Sequence, residues 1–362
     1  MHWLFICSTG LQFLSAVAMI EQHKKEMKEG EVFDVDLVLI RRRRETLRIA
    51  EVLEQLQCFR EVYILNSESI SSLKHLLKNP ENMLPRLLKR FSFTQDLARR
   101  VQFGSQLSLE FDRYTDFFAV NRSDACLWIL SHLSDACRIH HFEDGIGTYT
   151  NNKLLPEERD FYLFDPELST CDPNKVRRIK RLSCEDETTR TLVSALCSKY
   201  PAKFPPVLYV DQYWGANAIR SSHASELQRS MWERRIELMD SVVREEGVDR
   251  CGILIHPASK PDEVQFLRER YGEEAVLDLN GVPLEMYFLN GEDCTEKIYT
   301  VSSSAAFYWK IACEVPAKVK MIFLVRSFQF NYRGLTTMPT ILEKLRQRYP
   351  DLVEIRRLPE LR

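Results

Sequence analysis

Short apolar runs alternate with helical stretches along this chain, and the alternation restarts after a cluster of prolines. No other feature limits the fold as tightly. The first series reads as strands at Trp3–Cys7, Phe33–Ile40, Glu61–Leu65, Asp116–Val120 and Arg138–Phe142. Helical stretches lie between them: from about Leu11, a charged run Glu21–Lys28, a basic run from Arg41 to Leu56, and Ala125–Leu133; Phe91–Leu107 is helical or irregular. The second strand ends in an uninterrupted apolar run, Leu37–Ile40, as expected where both faces of a sheet are covered. Alternation of this kind means βαβ units, a parallel sheet and right-handed crossovers.

Pro201, Pro205 and Pro206 then break the chain, and the pattern resumes. Strands are expected at Val207–Val210, Gly252–Ile255, Ala275–Leu279, Lys297–Val301 and Val319–Val325. Helices are expected at Ala224–Glu246, Asp262–Tyr271, Pro283–Leu289, Ala305–Cys313 and Met338–Tyr349. Residues 153–204 read as a variable connection, in which Lys175–Arg181 forms a solvated basic face. With 362 residues, two cores are expected rather than one. The sequence therefore predicts an α/β protein of the GT-B architecture: two Rossmann-like doubly wound domains, 1–204 and 205–362, facing a central cleft.

A formal net charge of -2 gives no support to nucleic-acid binding, which favours a basic excess. Ten cysteines are scattered without C-x-x-C or zinc-like spacing, and most sit in apolar runs, which suits a reducing compartment. Met1–Ile20 is apolar but lacks a basic leader and is broken by Ser8, Thr9, Gly10 and Gln12. It reads as a buried strand turning into a helix, so a cytoplasmic protein is expected, with peripheral contact with the inner membrane left open.

Reactive side chains collect at three strand ends. Glu143, Asp144 and Gly145 close one strand of the first series; His256-Pro257 and Ser302-Ser303-Ser304 close two of the second. Ligands of open α/β sheets collect at the carboxyl ends of strands. A carboxylate there can deprotonate a hydroxyl, a histidine can assist a leaving phosphate, and serines before a helix can hold phosphate oxygens. Each feature has a plainer reading as a turn, a structural histidine or a helix cap. Asp34-Val-Asp36 has the form of a metal-binding pair, but it falls at the start of a strand and reads as surface.

In that order the three motifs resemble those of the bacterial sialyltransferases. The match is most similar to glycosyltransferase family 52, the lipooligosaccharide sialyltransferase family, with the bacterial polysialyltransferases as relatives. It rests on Leu4–Gln12, Phe142–Gly147, Ile255–Pro257 and Ile298–Ala306. The resemblance implies an inverting, metal-independent enzyme with no cofactor beyond its donor substrate. It would move sialic acid, or a related nonulosonic acid, from CMP-sialic acid to a terminal sugar of a bacterial surface glycan, galactose being the expected acceptor. Domain 1–204 would bind the acceptor and 205–362 the donor.

The resemblance also implies roles. Glu143 or Asp144 would be the general base, with Glu143 favoured and Asp211 a rival. His256 would assist departure of CMP. Ser303, with Ser302 or Ser304, would bind its phosphate, and Glu285 would contact the cytidine. Ser8, Thr9, Gly10 and Gln12 would line the acceptor side, and Lys260 would replace the basic residue that family members often carry after His-Pro. A hexosyltransferase using a UDP-sugar, and a non-catalytic glycan- or nucleotide-binding module, are the alternatives.

Overall fold

The computed structural model describes residues 1–41, 44–66, 109–120, 124–130, 132–149, 158–212, 226–291, 295–301, 303–315, 318–325 and 338–358. Two all-parallel sheets organise them. The first holds β1 (His2–Cys7), β2 (Asp34–Arg41), β3 (Glu61–Asn66), β4 (Asp116–Ala119), β5 (Arg138–Phe142), β6 (Glu158–Leu163) and β7 (Val176–Arg178), in the order β3-β2-β1-β4-β5-β6-β7. The second holds β8 (Val207–Val210), β9 (Cys251–Leu254), β10 (Val276–Leu277), β11 (Lys297–Thr300), β12 (Lys320–Val325) and β13 (Val353–Arg357), in the order β10-β9-β8-β11-β12-β13. Each sheet doubles back beside its own first strand, between β1 and β4 and between β8 and β11. Those are the points where loops on opposite faces part and leave a crevice at the carboxyl ends of the strands. The doubly wound α/β pair expected from the alternation is the fold observed.

The helices are α1 (Gly10–Glu26), α2 (Arg44–Ala50), α3 (Asp124–Leu130), α4 (Glu187–Lys199), α5 (Glu226–Glu246), α6 (Pro261–Tyr271), α7 (Leu284–Leu289), α8 (Ala305–Ala312) and α9 (Met338–Arg348). Helix α1 is buried along nearly all of Gly10–Ile20 because it is covered by the first sheet, α2 and α4. Its charged residues are confined to the last turns. The first sheet is held by an aromatic ladder, with Phe5 stacked on Phe118 at 4.5 Å and edge-on to Phe142 at 5.6 Å. All three rings are buried, and each is worth about 1.5–3 kcal/mol in apolar surface removed from water.

Residues 153–204 are the main departure from the expected pattern. The described part carries β6, β7 and α4, so it extends the first sheet and supplies a helix. Its basic cluster is pinned at the sheet edge, Arg177 to Asp160 at 2.9 Å and Arg178 to Glu167 at 2.6 Å. The missed signals were short strands with little apolar alternation. Asp36 was expected at the surface but is buried, held by Arg60, Arg113 and the Tyr114 hydroxyl. The stretch Phe91–Leu107 lies outside the described residues.

Helix α4 packs on both α1 and α7, and one apolar core runs through both halves. The two halves are also joined behind the cleft. Leu182 pairs with the strand-like segment at Cys313, its N–H donating to the Ala312 carbonyl at 2.7 Å. Helix α9 reaches back to the first half, where the Tyr349 hydroxyl donates to Asp165 at 2.9 Å. Among the described residues no helix is long and apolar enough to cross a membrane.

Candidate functional site

Between the carboxyl ends of the two sheets lies a cavity of about 370 Å³. The first half contributes Thr9, Leu11, Glu45 and Asp144 to its wall. The second contributes Asp211, His256, Pro257, Asp278, Glu285, Ser303 and Ser304 among others. The two walls come close: a Cβ added to Gly145 would stand 3.8 Å from the Ser304 hydroxyl oxygen and 3.9 Å from Leu11. Gly145 has φ +123°, a conformation in which a side chain is strained, so this turn requires glycine.

Of the two adjacent acids, Asp144 and not Glu143 faces the cavity. Thr9, the N-cap of α1, accepts from the Gln12 amide at 3.2 Å and donates its hydroxyl to Asp144 at 2.7 Å. The Asp144 amide donates to Thr148 at 3.0 Å, which fixes the turn. Glu143 is wholly buried. It accepts from the Tyr149 hydroxyl at 2.8 Å and from the Phe164 amide at 2.7 Å, both on Oε2. Burial pushes its carboxyl up to about 7; Tyr308, the Phe164 amide and Tyr149 oppose that shift, while the nearby Asp165 adds to it. The preference for Glu143 as base is therefore corrected. Successive residues leave a strand in opposite directions, so one acid of the pair points into the core.

Asp211 reaches the cavity wall, but both its oxygens are engaged by the buried Arg235 guanidinium, one at 2.9 Å. Glu263 lies 3.6 Å from the same guanidinium. An acid committed to a buried ion pair is a brace rather than a proton acceptor, and the rival assignment to Asp211 is corrected as well.

His256 and Pro257 line the second wall where expected. The Ala258 amide donates to Nδ1 of His256 at 3.1 Å. Nδ1 is therefore an acceptor, and the neutral ring carries its proton on Nε2. Ser303 and Ser304 precede α8, and the Ser303 amide donates to Thr300 at 3.1 Å. Ser302 lies outside the described residues. Lys260 opens α6, its amide donating to Glu263 at 3.3 Å, and it is not among the residues lining the cavity. The expectation that it serves a phosphate at this wall is not met by its position.

The first turn contributes unevenly. Thr9 lines the cavity, but Ser8, Gly10 and Gln12 do not. Gln12 is buried and accepts the Ser8 amide at 2.6 Å, bracing the turn from behind. Gly10 donates its amide to Glu45 at 3.0 Å and closely approaches Pro283.

Glu285 sits in the first turn of α7 on the cavity wall, as expected. Burial first, and then the charge of Glu45, push its carboxyl up to about 7. Glu45 and Asp278 were missed. Asp278 pairs with Arg44 at 2.7 Å across the cleft. Glu45 sat inside a run of arginines that read only as a basic helix. Applying the strand-end rule to β2 would have found it, because α2 begins three residues beyond that strand. Among the described residues no three metal-ligating side chains cluster.

No protein-family model matches the chain, and no curated protein matches it. Solved structures do. The GT-B domain of a sialyltransferase from Photobacterium damselae is 9% identical, with a TM-score of 0.48 over 98% of this chain and 99% of that one. A UDP-GlcNAc 2-epimerase from Neisseria meningitidis, bound to UDP-GlcNAc, is 10% identical, with a TM-score of 0.46 over 98% and 95%. The ADP-heptose heptosyltransferase II of E. coli is 10% identical, with a TM-score of 0.41 over 100% and 91%.

Proposed function

We propose that this chain is an inverting sialyltransferase that uses CMP-sialic acid and needs no metal. The observation that supports this most is the meeting of Asp144, His256, Ser303 and Ser304 on one cavity between the two sheets. A base, a ring that donates a hydrogen bond and phosphate-binding hydroxyls are what transfer from a nucleotide sugar needs. The choice of donor rests on the order and wording of the three motifs rather than on the cavity.

In the proposed step an acceptor hydroxyl attacks the anomeric carbon from the face opposite the phosphate. The new carbon–oxygen bond forms as the bond from the anomeric carbon to the phosphate oxygen breaks. The acceptor proton passes to Asp144, which Thr9 orients. CMP leaves with the electron pair, and the Nε2–H of His256 donates to the departing phosphate. Ser303, Ser304 and the opening turn of α8 hold its oxygens, since helix N-termini favour anions. In this reading Glu285, whose carboxyl burial pushes up to about 7, donates a hydrogen bond to the base of the nucleotide while protonated. The acceptor would be a terminal sugar, galactose, of a surface glycan.

Incubation with CMP-sialic acid and lactose, followed by CMP release and product mass, tests this directly. A product heavier than lactose by one sialic acid residue is expected, and Asp144→Asn should slow its formation by about 10²–10⁴-fold. Stabilisation by UDP but not CMP, with no such product, would instead assign the cavity to a UDP-sugar.

A further inference from the structure

Among the described residues five carboxylates line the cavity, those of Glu45, Asp144, Asp211, Asp278 and Glu285, and no lysine or arginine does. Three of them are engaged: Asp144 by Thr9, Asp211 by Arg235 and Asp278 by Arg44. Glu285 is different. It is only 5% exposed, and apart from its own backbone amide no described residue donates a hydrogen bond to its carboxyl. Glu45 gives Oε2 to the Gly10 amide at 3.0 Å, and its other oxygen accepts from no described residue. A buried carboxyl without a partner is costly, and a ligand that meets it with hydrogen-bonding groups removes that cost.

The two acids come from opposite halves, yet packing holds them on one stretch of wall. Gly10 lies between their elements: a Cβ built there would stand 3.0 Å from Pro283 Cγ and 3.3 Å from Glu45 Cβ. Pro283 caps α7, whose first turn carries Glu285. Helix α2, which carries Glu45, is docked on the loop that leads to α7. Arg44 pairs with Asp278 at 2.7 Å, and Arg48 donates from Nε to the Asn280 carbonyl at 2.9 Å. Gly281 has φ +88°, and a Cβ there would fall 2.6 Å from the Arg44 carbonyl carbon, so a side chain would push α2 away. The approach of Glu45 to Glu285 is thus built into the structure as it stands and needs no movement.

The pairing edge of cytosine presents an amine that donates beside a ring nitrogen that accepts. Uracil presents the reverse, a carbonyl that accepts beside a ring N–H that donates. An ionised carboxylate only accepts, so it welcomes the amine and repels the uracil carbonyl. Glu285, whose carboxyl burial pushes up to about 7, can offer a proton to the ring nitrogen. We infer that Glu45 is a specificity-determining residue of the first half: it accepts from the exocyclic amine of cytosine while Glu285 donates to the ring nitrogen beside it, and the pair selects cytosine over uracil. This rests on the transferase reading above, names the residues that choose its donor, and makes nucleotide recognition a task shared by both halves.

The test is calorimetry on the full chain with CMP, UMP and the monophosphate of 2-pyrimidinone riboside, which lacks the amine, beside kinetics with CMP-sialic acid and lactose. The wild type should bind CMP at least about tenfold more tightly than either of the others, because a site built to pair a polar group rejects the analogue lacking it. Glu45→Gln keeps an oxygen for the Gly10 amide, and a melting curve checks its fold. Its side-chain N–H₂ can meet a uracil carbonyl, so its preference for CMP over UMP should fall at least about fivefold. Its KM for CMP-sialic acid should rise about tenfold, with kcat within about threefold of wild type, since the base is remote from the bond that breaks. An acid that only braced the Gly10 turn would weaken CMP and UMP alike. If the wild type binds CMP no more tightly than UMP or the amine-free analogue, or if folded Glu45→Gln keeps the wild-type preference, the cytosine reader is wrong, and the transferase reading stands as long as sialyl-lactose forms. If CMP does not bind and no sialyl-lactose forms, both readings fall together.

Discussion

The two halves wind their sheets in the same order around a first strand, yet load the resulting crevices with opposite chemistry. After β1 and β5 the first half presents Thr9 and Asp144, a hydroxyl that donates to a carboxylate on the cavity wall. After β9 and β11 the second presents His256, Ser303 and Ser304, groups that donate. The acids of the second half are mostly committed. Asp211 is locked onto Arg235, and Asp278 reaches across to Arg44. One backbone plan therefore serves two tasks, and the side chains at a few strand ends decide which. Carboxylates that look alike in the chain are separated by whether a cation, a hydroxyl or the core meets them.

The sharpest way to break this contrast is Asp144→Asn. It keeps the shape and the Thr9 contact but removes the proton acceptor, so turnover should fall by about 10²–10⁴-fold, while CMP still raises the melting temperature. Retained turnover in this variant, with loss in Asp211→Asn, would move the base to the second half.

Arg235→Ala is expected to cost about 3–5 kcal/mol in denaturant unfolding, because it strands two buried acids, Asp211 and Glu263. A loss well under 1 kcal/mol would mean that Asp211 is not committed as a brace.

Glu143 and Glu285 give the comparison a pH axis. Both release their protons near 7 in the folded chain, against an ordinary carboxylate value of 4.5 in the unfolded one. The stability linked to each is complete below that ordinary value and is lost as pH rises through about 7. For Glu143 it is on the order of 3 kcal/mol. Melting temperature should therefore decline between about pH 5 and pH 7.5, and Glu143→Gln should flatten part of that decline. An unchanged slope would place Glu143 in water.

The smallest effect belongs to the serines. Ser303→Ala should weaken CMP binding at least about tenfold by calorimetry, corresponding to one hydrogen bond to the anionic phosphate of about 1.5 kcal/mol, without altering the melting temperature of the free protein. No change would take Ser303 off the phosphate.

The sequence by itself carried the fold far. Apolar runs such as Leu37–Ile40 and Val207–Val210 announce buried parallel strands because hydrophobic periodicity is local, and Thr9 and Ser304 announce helix starts for the same reason. It failed where strands are short and charged, as at β7 and β13, since pairing with a neighbour rather than composition makes them strands. It also placed His256, Glu285 and the serines at strand ends or helix starts, which chain order alone can locate. The choice between Glu143 and Asp144 was beyond it. Adjacent residues have the same chemistry on paper, and only the packing of Tyr149, Phe164 and Tyr308 around one of them, with the Thr9 hydroxyl reaching the other, tells the buried anchor from the acid that faces the cleft. Those partners lie up to 165 residues away, and burial depends on all of them at once.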